Sequence, residues 1–165
     1  MTNAEPLIIP EKPGAPIACD MTAAPDTPEE RLAEYARLFA HALIDRERTA
    51  DAMEFRFAAK AGVAEWIAAL VQREAACCPF LSYEITFGAD RIIWRTSSQA
   101  GPAAQTILDE FSNLPERLGE GFSGLIDRLG QKGLLISSPT PGRFVLDEDK
   151  PKPGLLSKVK AACGC

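Results

Sequence analysis

The stretch REAACCPFLSYE, residues 73–84, joins a helical pattern to a strand pattern. Upstream of it, apolar residues recur at three- and four-residue spacing, which predicts a helix from about Gly62 to Cys78. Pro79 has no amide hydrogen to continue that helix, so we expect the helix to end there. Downstream, apolar and polar residues alternate over 81–87 and 92–96, which predicts a hairpin. Two adjacent cysteines therefore fall at a junction between a helix and a hairpin.

Two further helices and one further strand complete the predicted core. An amphipathic helix is expected from a capping sequence at 26–27 to about Asp45, and another over 103–111. The alternation over 53–57 predicts a half-buried strand. Helices packed on one face of a mostly antiparallel sheet form a two-layer sandwich, so the predicted fold class is α+β.

Composition divides the chain into four regions. Residues 1–16 are rich in proline without periodicity and predict a disordered arm. Residues 17–115 form the predicted α+β core domain with the Cys-Cys motif. Residues 116–136 predict a short helical extension, which either docks on the core or offers a surface to a partner. Residues 137–165 are rich in proline and charge and predict a flexible tail that ends in Cys-Gly-Cys.

Charge and hydropathy exclude several function classes. The chain has 165 residues and a net charge of -5, without a cluster of basic residues that would bind phosphates. Nucleic acid is therefore not an expected partner. The N-terminus lacks the pattern of a signal peptide, and no window is apolar enough to span a membrane. We expect a cytoplasmic protein without a membrane partner.

The five cysteines are the main candidates for chemistry. In a reducing compartment they favour thiols, metal ligands or redox groups over a disulfide scaffold. The single histidine, His41, falls on the solvated face of its predicted helix, so no histidine-rich metal site is expected.

Cys77, Cys78 and Glu74 project onto the buried stripe of the helix that ends at Pro79. Core packing would account for the cysteines, and a glutamate whose stem packs while its head reaches water would account for Glu74. Otherwise a buried carboxylate needs either a basic partner, for which Arg95 and Arg56 are the candidates, or an open site where it acts as an acid or a base.

A soft metal ion is the ligand that the cysteine pattern favours most. The end of a helix disfavours thiolates at Cys77 and Cys78, and a bound thiophilic cation offsets this by displacing their protons. Hg(II) is the leading ion, Cu(I) and Zn(II) are alternatives, and no organic cofactor is expected. Cys19, on a short predicted strand, is the candidate third ligand. Cys163 and Cys165 are expected to capture the ion at the end of the tail and to exchange it with this site.

Three blocks, Ile17-Ala18-Cys19, Phe55-Arg56-Phe57 and residues 73–84, resemble a family of small, largely uncharacterised bacterial proteins with a Glu-x-x-Cys-Cys-Pro-Phe block. That block is also similar to a domain appended to some MerR-type heavy-metal-responsive regulators. The resemblance implies a role in resistance to thiophilic metals, above all mercury, with another metal-resistance protein as a partner. The sequence has no helix-turn-helix reader, so the regulator function does not carry over.

Three alternatives remain open, and two of them are enzymes. In an organomercurial lyase, two thiolates would hold the substrate while Glu74, kept protonated by burial, cleaves the carbon–metal bond. In a thiol redox relay, the tail pair would resolve a sulfenate or disulfide at Cys77 and Cys78, although the sequence reveals no cationic neighbour for them. In a non-catalytic interaction module, a partner would bind residues 120–136.

Overall fold

The structure is a computed structural model and describes residues 4–133, 135–137 and 143–147. Its helices are α1 (Pro28–Ala42), α2 (Val63–Cys77), α3 (Pro102–Ser112), α4 (Leu114–Arg117) and α5 (Gly121–Gln131). Its strands are β1 (Leu7–Ile9), β2 (Ala18–Asp20), β3 (Leu43–Arg48), β4 (Ala52–Ala58), β5 (Ser82–Phe87), β6 (Arg91–Ser97), β7 (Leu135–Ser137) and β8 (Arg143–Asp147).

Five strands form an antiparallel sheet in the order β1-β5-β6-β4-β3. One face of this sheet is apolar, and the side chains of Phe55, Ile85 and Trp94 on it are fully buried. Apolar residues of α1, α2 and α3 pack in the same core. The opposite face carries charged side chains such as Arg56 and Arg95. The predicted α+β class is confirmed, because helices cover one face of an antiparallel sheet.

The first helix begins where the sequence predicts but ends earlier. The Thr27 side chain accepts a hydrogen bond from the Glu30 amide, and the Glu30 carboxylate accepts one from the Thr27 amide. The expected end near Asp45 is wrong, because α1 ends at Ala42 and β3 pairs with β4 from Leu43 onward. Hydrogen bonding to β4 overrides the local helical pattern there.

The expectation of a disordered arm over residues 1–16 is wrong for Leu7–Ile9. These residues form β1, which pairs antiparallel with β5 at the edge of the sheet. Leu7 and Ile9 pack against the core, whereas Ile8 points away from it and is exposed. Burial of alternate side chains, together with ladder hydrogen bonds, orders a segment that its proline content suggested was irregular.

The C-terminal regions contain more structure than their composition suggests. α5 docks on the core through Leu129, which is buried against Ala103 of α3. The expectation of a flexible tail over 137–165 is wrong for Arg143–Asp147, because β8 pairs with both β2 and β7 in a second, three-stranded sheet. Cys163 and Cys165 lie outside the described residues. Within the described part of the chain, no helix combines the length and apolar character needed to cross a membrane.

Candidate functional site

The two adjacent cysteines leave the end of α2 in different environments. Cys77 is the last residue of the helix, and the backbone of Cys78 has turned out of helical conformation, with φ -124° and ψ 71°. The Cys78 amide still donates to the Glu74 carbonyl at 2.8 Å, so the turn is held in place. Pro79 follows this turn, as the sequence predicts. Cys77 is completely buried, and its neighbour Cys78 is 7% exposed.

Cys78 is bonded to Cys19 rather than associated with Cys77. The disulfide joins the end of α2 to β2 across 59 residues of sequence, and the two Cα atoms are 4.6 Å apart. Cys77 is a free thiol. The sequence placed Cys19 near the cysteine pair, and the structure brings it against one member. The expectation that cysteines here would be thiols rather than disulfides does not hold for Cys19 and Cys78.

Glu74 is paired with a residue that the sequence analysis did not single out. The Arg31 guanidinium donates to Glu74 Oε1 at 2.7 Å, and both side chains are buried. The expectation of Arg95 or Arg56 as the partner is wrong, because both lie on the opposite face of the sheet and pair with Glu54 there. Since an arginine can only donate, Glu74 Oε1 is the acceptor of this bond.

Arg31 also connects the buried pair to a chain of charges that reaches the surface. Its Nη2 donates to Asp26 Oδ1 at 2.7 Å, and Arg73 Nη1 donates to Asp26 Oδ2 at 2.8 Å. Arg73 in turn donates to Glu34, which also accepts from the Trp66 indole at 2.9 Å. The hydrogen bond from Arg31 is the largest of the effects that lower the pKa of Asp26 to about 2.

The buried thiol of Cys77 has the cationic neighbour that the sequence did not reveal. Arg31 Nη2 lies 3.8 Å from Cys77 Sγ. Burial raises the pKa of Cys77, and the positive charge of Arg31 acts in the opposite direction. Cys77 is therefore a protonated thiol beside a guanidinium, in a place that solvent does not reach.

Two buried tyrosine hydroxyls lie next to Glu74. They belong to Tyr35 of α1 and Tyr83 of β5. Burial is the largest cause that raises the pKa of both hydroxyls, and the negative charge of Glu74 raises it further. Each hydroxyl therefore keeps its proton. A hydrogen bond to Glu74 also raises the pKa of Tyr35, whereas the Tyr83 hydroxyl has no hydrogen-bond partner among the described residues.

The disulfide borders an apolar cavity of about 130 Å³. Its apolar walls include Leu32 of α1, Phe111 of α3 and Leu125 of α5. We call the side formed by Cys19, Arg31, Glu74 and Cys78 the polar end of the cavity. The Tyr35 side chain also lines the cavity. The arrangement combines two sulfur atoms, the Arg31–Glu74 ion pair and space for an apolar group, and the acidic Glu110 also lines the cavity.

The metal ligands expected from the sequence are only partly brought together. Among residues 4–133, 135–137 and 143–147, no cluster of three or more histidine, cysteine or acidic side chains is arranged to hold a metal ion. After reduction, Cys19 and Cys78 would present two sulfur ligands at the polar end of the cavity, beside Glu74. Their position relative to Cys163 and Cys165 falls outside the described residues.

Arg31 and Tyr35 are the site residues that the sequence analysis missed. The buried face of α1 carries Arg31, Tyr35, Leu38, Phe39 and Ala42. Arg31 precedes Tyr35 by four residues and Leu38 by seven, which is the spacing of one helix face. That spacing could have identified Arg31 from the sequence, because it places a charged residue on the apolar stripe of the helix. Comparison with protein-family models, curated proteins and solved structures finds no match to this chain.

Proposed function

We propose that the protein is a thiol redox protein in which Cys19 and Cys78 alternate between a dithiol and a disulfide. The observation that carries the proposal is the bond between these two cysteines at the polar end of an apolar cavity. A half-buried Cys19 leaves one sulfur accessible to a small thiol, since exchange begins with attack on a sulfur atom. The Arg31 guanidinium, which is paired with Asp26 and Glu74, lines the same cavity.

Thiol–disulfide exchange with a reducing partner proceeds in two steps. A thiolate of a reducing partner attacks one sulfur of the disulfide, forms a mixed disulfide and releases the other cysteine as a thiolate. A second thiolate of the partner then attacks the mixed disulfide and releases the first cysteine. Two electrons and two protons pass to the protein, and the partner leaves as a disulfide. In the opposite direction the protein is the reductant.

Cys163 and Cys165 are proposed as the thiols that exchange with this pair. Strand β8 pairs with β2 so that position 144 lies opposite Cys19. Fifteen residues separate Asp147 from Cys163, and a chain of that length spans at most about 50 Å. The tail cysteines can therefore reach the polar end of the cavity, and their tether gives them a high effective concentration there.

Redox titration tests the proposal directly. Full-length protein is equilibrated in glutathione buffers of increasing oxidation, trapped with an alkylating reagent, and analysed by peptide mass spectrometry. We expect Cys19 and Cys78 to gain and lose two hydrogens together at one potential. The variant Cys77→Ser should keep this transition, and Cys19→Ser should abolish it. A disulfide that resists reduction throughout the range would instead identify a structural crosslink and contradict the proposal.

Capture of a soft metal ion by the reduced pair is the second candidate. The observation that favours it is the convergence of two sulfur atoms, which are sufficient ligands for linear coordination of Hg(II), at an apolar cavity. Thiolates select soft ions such as Cu(I), and Hg(II) is softer still. In this proposal the tail cysteines deliver the ion, in line with the resemblance to proteins associated with metal resistance.

Native mass spectrometry distinguishes the two candidates. Reduced protein is titrated with Hg(II), Cu(I) and Zn(II) in the presence of a competing small thiol. If metal capture is the function, one ion should remain bound, and both Cys19→Ser/Cys78→Ser and Cys163→Ser/Cys165→Ser should weaken its retention. If no ion survives the competition while the redox transition is intact, metal capture is excluded and the redox function stands.

The other two alternatives receive less support. An organomercurial lyase needs Glu74 free to deliver a proton to the substrate, whereas Glu74 Oε1 is occupied by a hydrogen bond from Arg31. An interaction surface over 120–136 would use the half-buried and exposed residues of α5, since Leu129 is buried against α3. Neither alternative explains why the disulfide and the cavity lie together.

A further inference from the structure

We infer that the cavity binds the organic group of an alkyl hydroperoxide, and that reduction of this peroxide closes the Cys19–Cys78 disulfide. The inference rests on the proposed redox function and names its oxidant. It follows from three features that meet in one place: a pair of sulfur atoms, an apolar space and a fixed cation.

The size and lining of the cavity favour a small apolar group. A protein cavity of about 150 Å³ lined by aliphatic and aromatic side chains stays dry and binds benzene, and this cavity has a volume of about 130 Å³. Leu32, Ile107, Phe111 and Leu125 line it. Contact with these apolar walls contributes no favourable binding free energy for hydrogen peroxide. The carbon atoms of an alkyl hydroperoxide do contribute it, because they are removed from water when they enter the cavity.

The polar end of the cavity suits the reacting peroxide group. A thiolate of Cys19 or Cys78 attacks the terminal peroxide oxygen, the O–O bond breaks, and the alkoxide leaves. The products are a cysteine sulfenic acid and, once the alkoxide takes a proton, an alcohol. The second cysteine then attacks the sulfenic sulfur and releases water, which leaves the disulfide that the structure contains. The cycle closes when a dithiol reductant, such as the tail cysteines or a small dithiol, reduces the bond.

Two side chains stabilise the charge that develops in this step. Arg31 is held at the polar end by ion pairs with Asp26 and Glu74, so its guanidinium is in place before the thiolate and the departing alkoxide form. Tyr35 lines the same cavity, is 2% exposed, and has its hydroxyl next to the Glu74 carboxyl. This hydroxyl can donate a hydrogen bond to the departing oxygen.

The test compares two peroxides on the reduced full-length protein. Rates of disulfide formation are measured with tert-butyl hydroperoxide and with hydrogen peroxide, and each is divided by the rate of free cysteine with the same peroxide. We expect the normalised rate with tert-butyl hydroperoxide to be higher by about tenfold or more, since small differences in an apolar pocket discriminate to that extent. Equal normalised rates would overturn the inference.

Variants test whether the cavity causes the preference for tert-butyl hydroperoxide. Leu125→Asn places an amide in the apolar wall and should remove most of the preference, whereas Ile44→Asn, on the exposed edge strand β3, should retain it. Tyr35→Phe keeps the ring and removes the hydroxyl, so it should slow oxidation by both peroxides and leave their ratio unchanged. Retention of the full preference in Leu125→Asn would contradict the inference.

Failure of the inference can be distinguished from failure of the proposed function. If neither peroxide closes the disulfide faster than it oxidises free cysteine, but the glutathione titration still shows the paired transition, the redox function stands and the oxidant has another chemistry. If neither peroxides nor redox buffers interconvert the pair, both proposals fail.

Discussion

Arg31 and Glu74 are 43 residues apart in the chain, yet they form an ion pair of 2.7 Å in the interior, with 3% and 6% of their surfaces exposed. The pair fastens α1 to the last turn of α2, one turn before Cys78. It thereby positions a guanidinium beside Cys77, whose Sγ lies 3.8 Å from Arg31 Nη2. A charge fixed in this way can act on nearby sulfur chemistry at all accessible pH values, because arginine does not lose its proton.

Replacing Arg31 should destabilise the protein strongly. Arg31→Met keeps much of the side-chain volume but leaves the buried Glu74 carboxylate without its cation, and the expected loss in the free energy of unfolding is about 3–5 kcal/mol. Urea denaturation followed by circular dichroism measures it. The matched control is Arg117→Met, which removes an exposed pair with Glu120 and should leave stability close to that of the wild type. Similar stability of the two variants would contradict the assigned role of Arg31.

Asp26 should make the free energy of unfolding depend on pH in the acidic range. The pKa of Asp26 is lowered from 3.8 to about 2, chiefly by the hydrogen bond from Arg31. Because the pKa of Asp26 is lower in the folded state than in the unfolded state, its carboxylate stabilises the folded state at pH values above the unfolded-state pKa. This contribution is lost as the pH falls from about 4 to 2. Asp26→Asn should therefore reduce stability at pH 7 by about 1–2 kcal/mol.

The difference between Asp26→Asn and the wild type should shrink between pH 4 and pH 2. Urea denaturation at several pH values measures this dependence. A difference that stays constant over the whole range would show that the amide disturbs packing and that titration of Asp26 is not responsible.

Reduction of the disulfide should lower stability. The bond closes a loop with a sequence separation of 59, and its loss should decrease the free energy of unfolding by about 2–4 kcal/mol. Urea titrations with and without a phosphine reductant measure the change. Cys163→Ser/Cys165→Ser is the matched control and should show the same decrease on reduction, since the tail cysteines do not form this bond. An unchanged denaturation midpoint after complete reduction would contradict the prediction.

Two glycine substitutions should act in opposite directions. Gly62, directly before α2, has φ 80°, so Gly62→Ala forces an alanine into the left-handed region and should cost about 1–2 kcal/mol. Gly130 lies inside α5, and an added Cβ meets no atom within 4 Å. Gly130→Ala should therefore stabilise the protein by about 0.5–1 kcal/mol. Thermal denaturation of both variants checks the signs, and destabilisation by Gly130→Ala would indicate crowding around α5.

The sequence predicted the parts of the site that depend on neighbouring residues. Periodicity and Pro79 located the end of α2 within one residue, because a helix requires amide hydrogens that proline lacks. Alternation of apolar and polar residues located the β5–β6 hairpin, because this pattern also depends on residues close in sequence. The same local patterns misassigned residues 43–45 to α1, and proline content misassigned Leu7–Ile9 to a disordered arm. In both places the hydrogen bonds of a strand come from residues distant in sequence.

The partners within the site were decided by the tertiary structure. Periodicity placed Glu74 on the buried stripe and left open a basic partner, an open site or a head group that reaches water. Only the packing of α1 against α2 selects Arg31 as its partner. Likewise, the sequence identified five cysteines, but the turn at Cys78 and the position of β2 determine that Cys19 meets Cys78 and leaves Cys77 free. Helical and strand patterns arise from residues a few positions apart, whereas these contacts span 43 and 59 residues and exist only once the layers have packed.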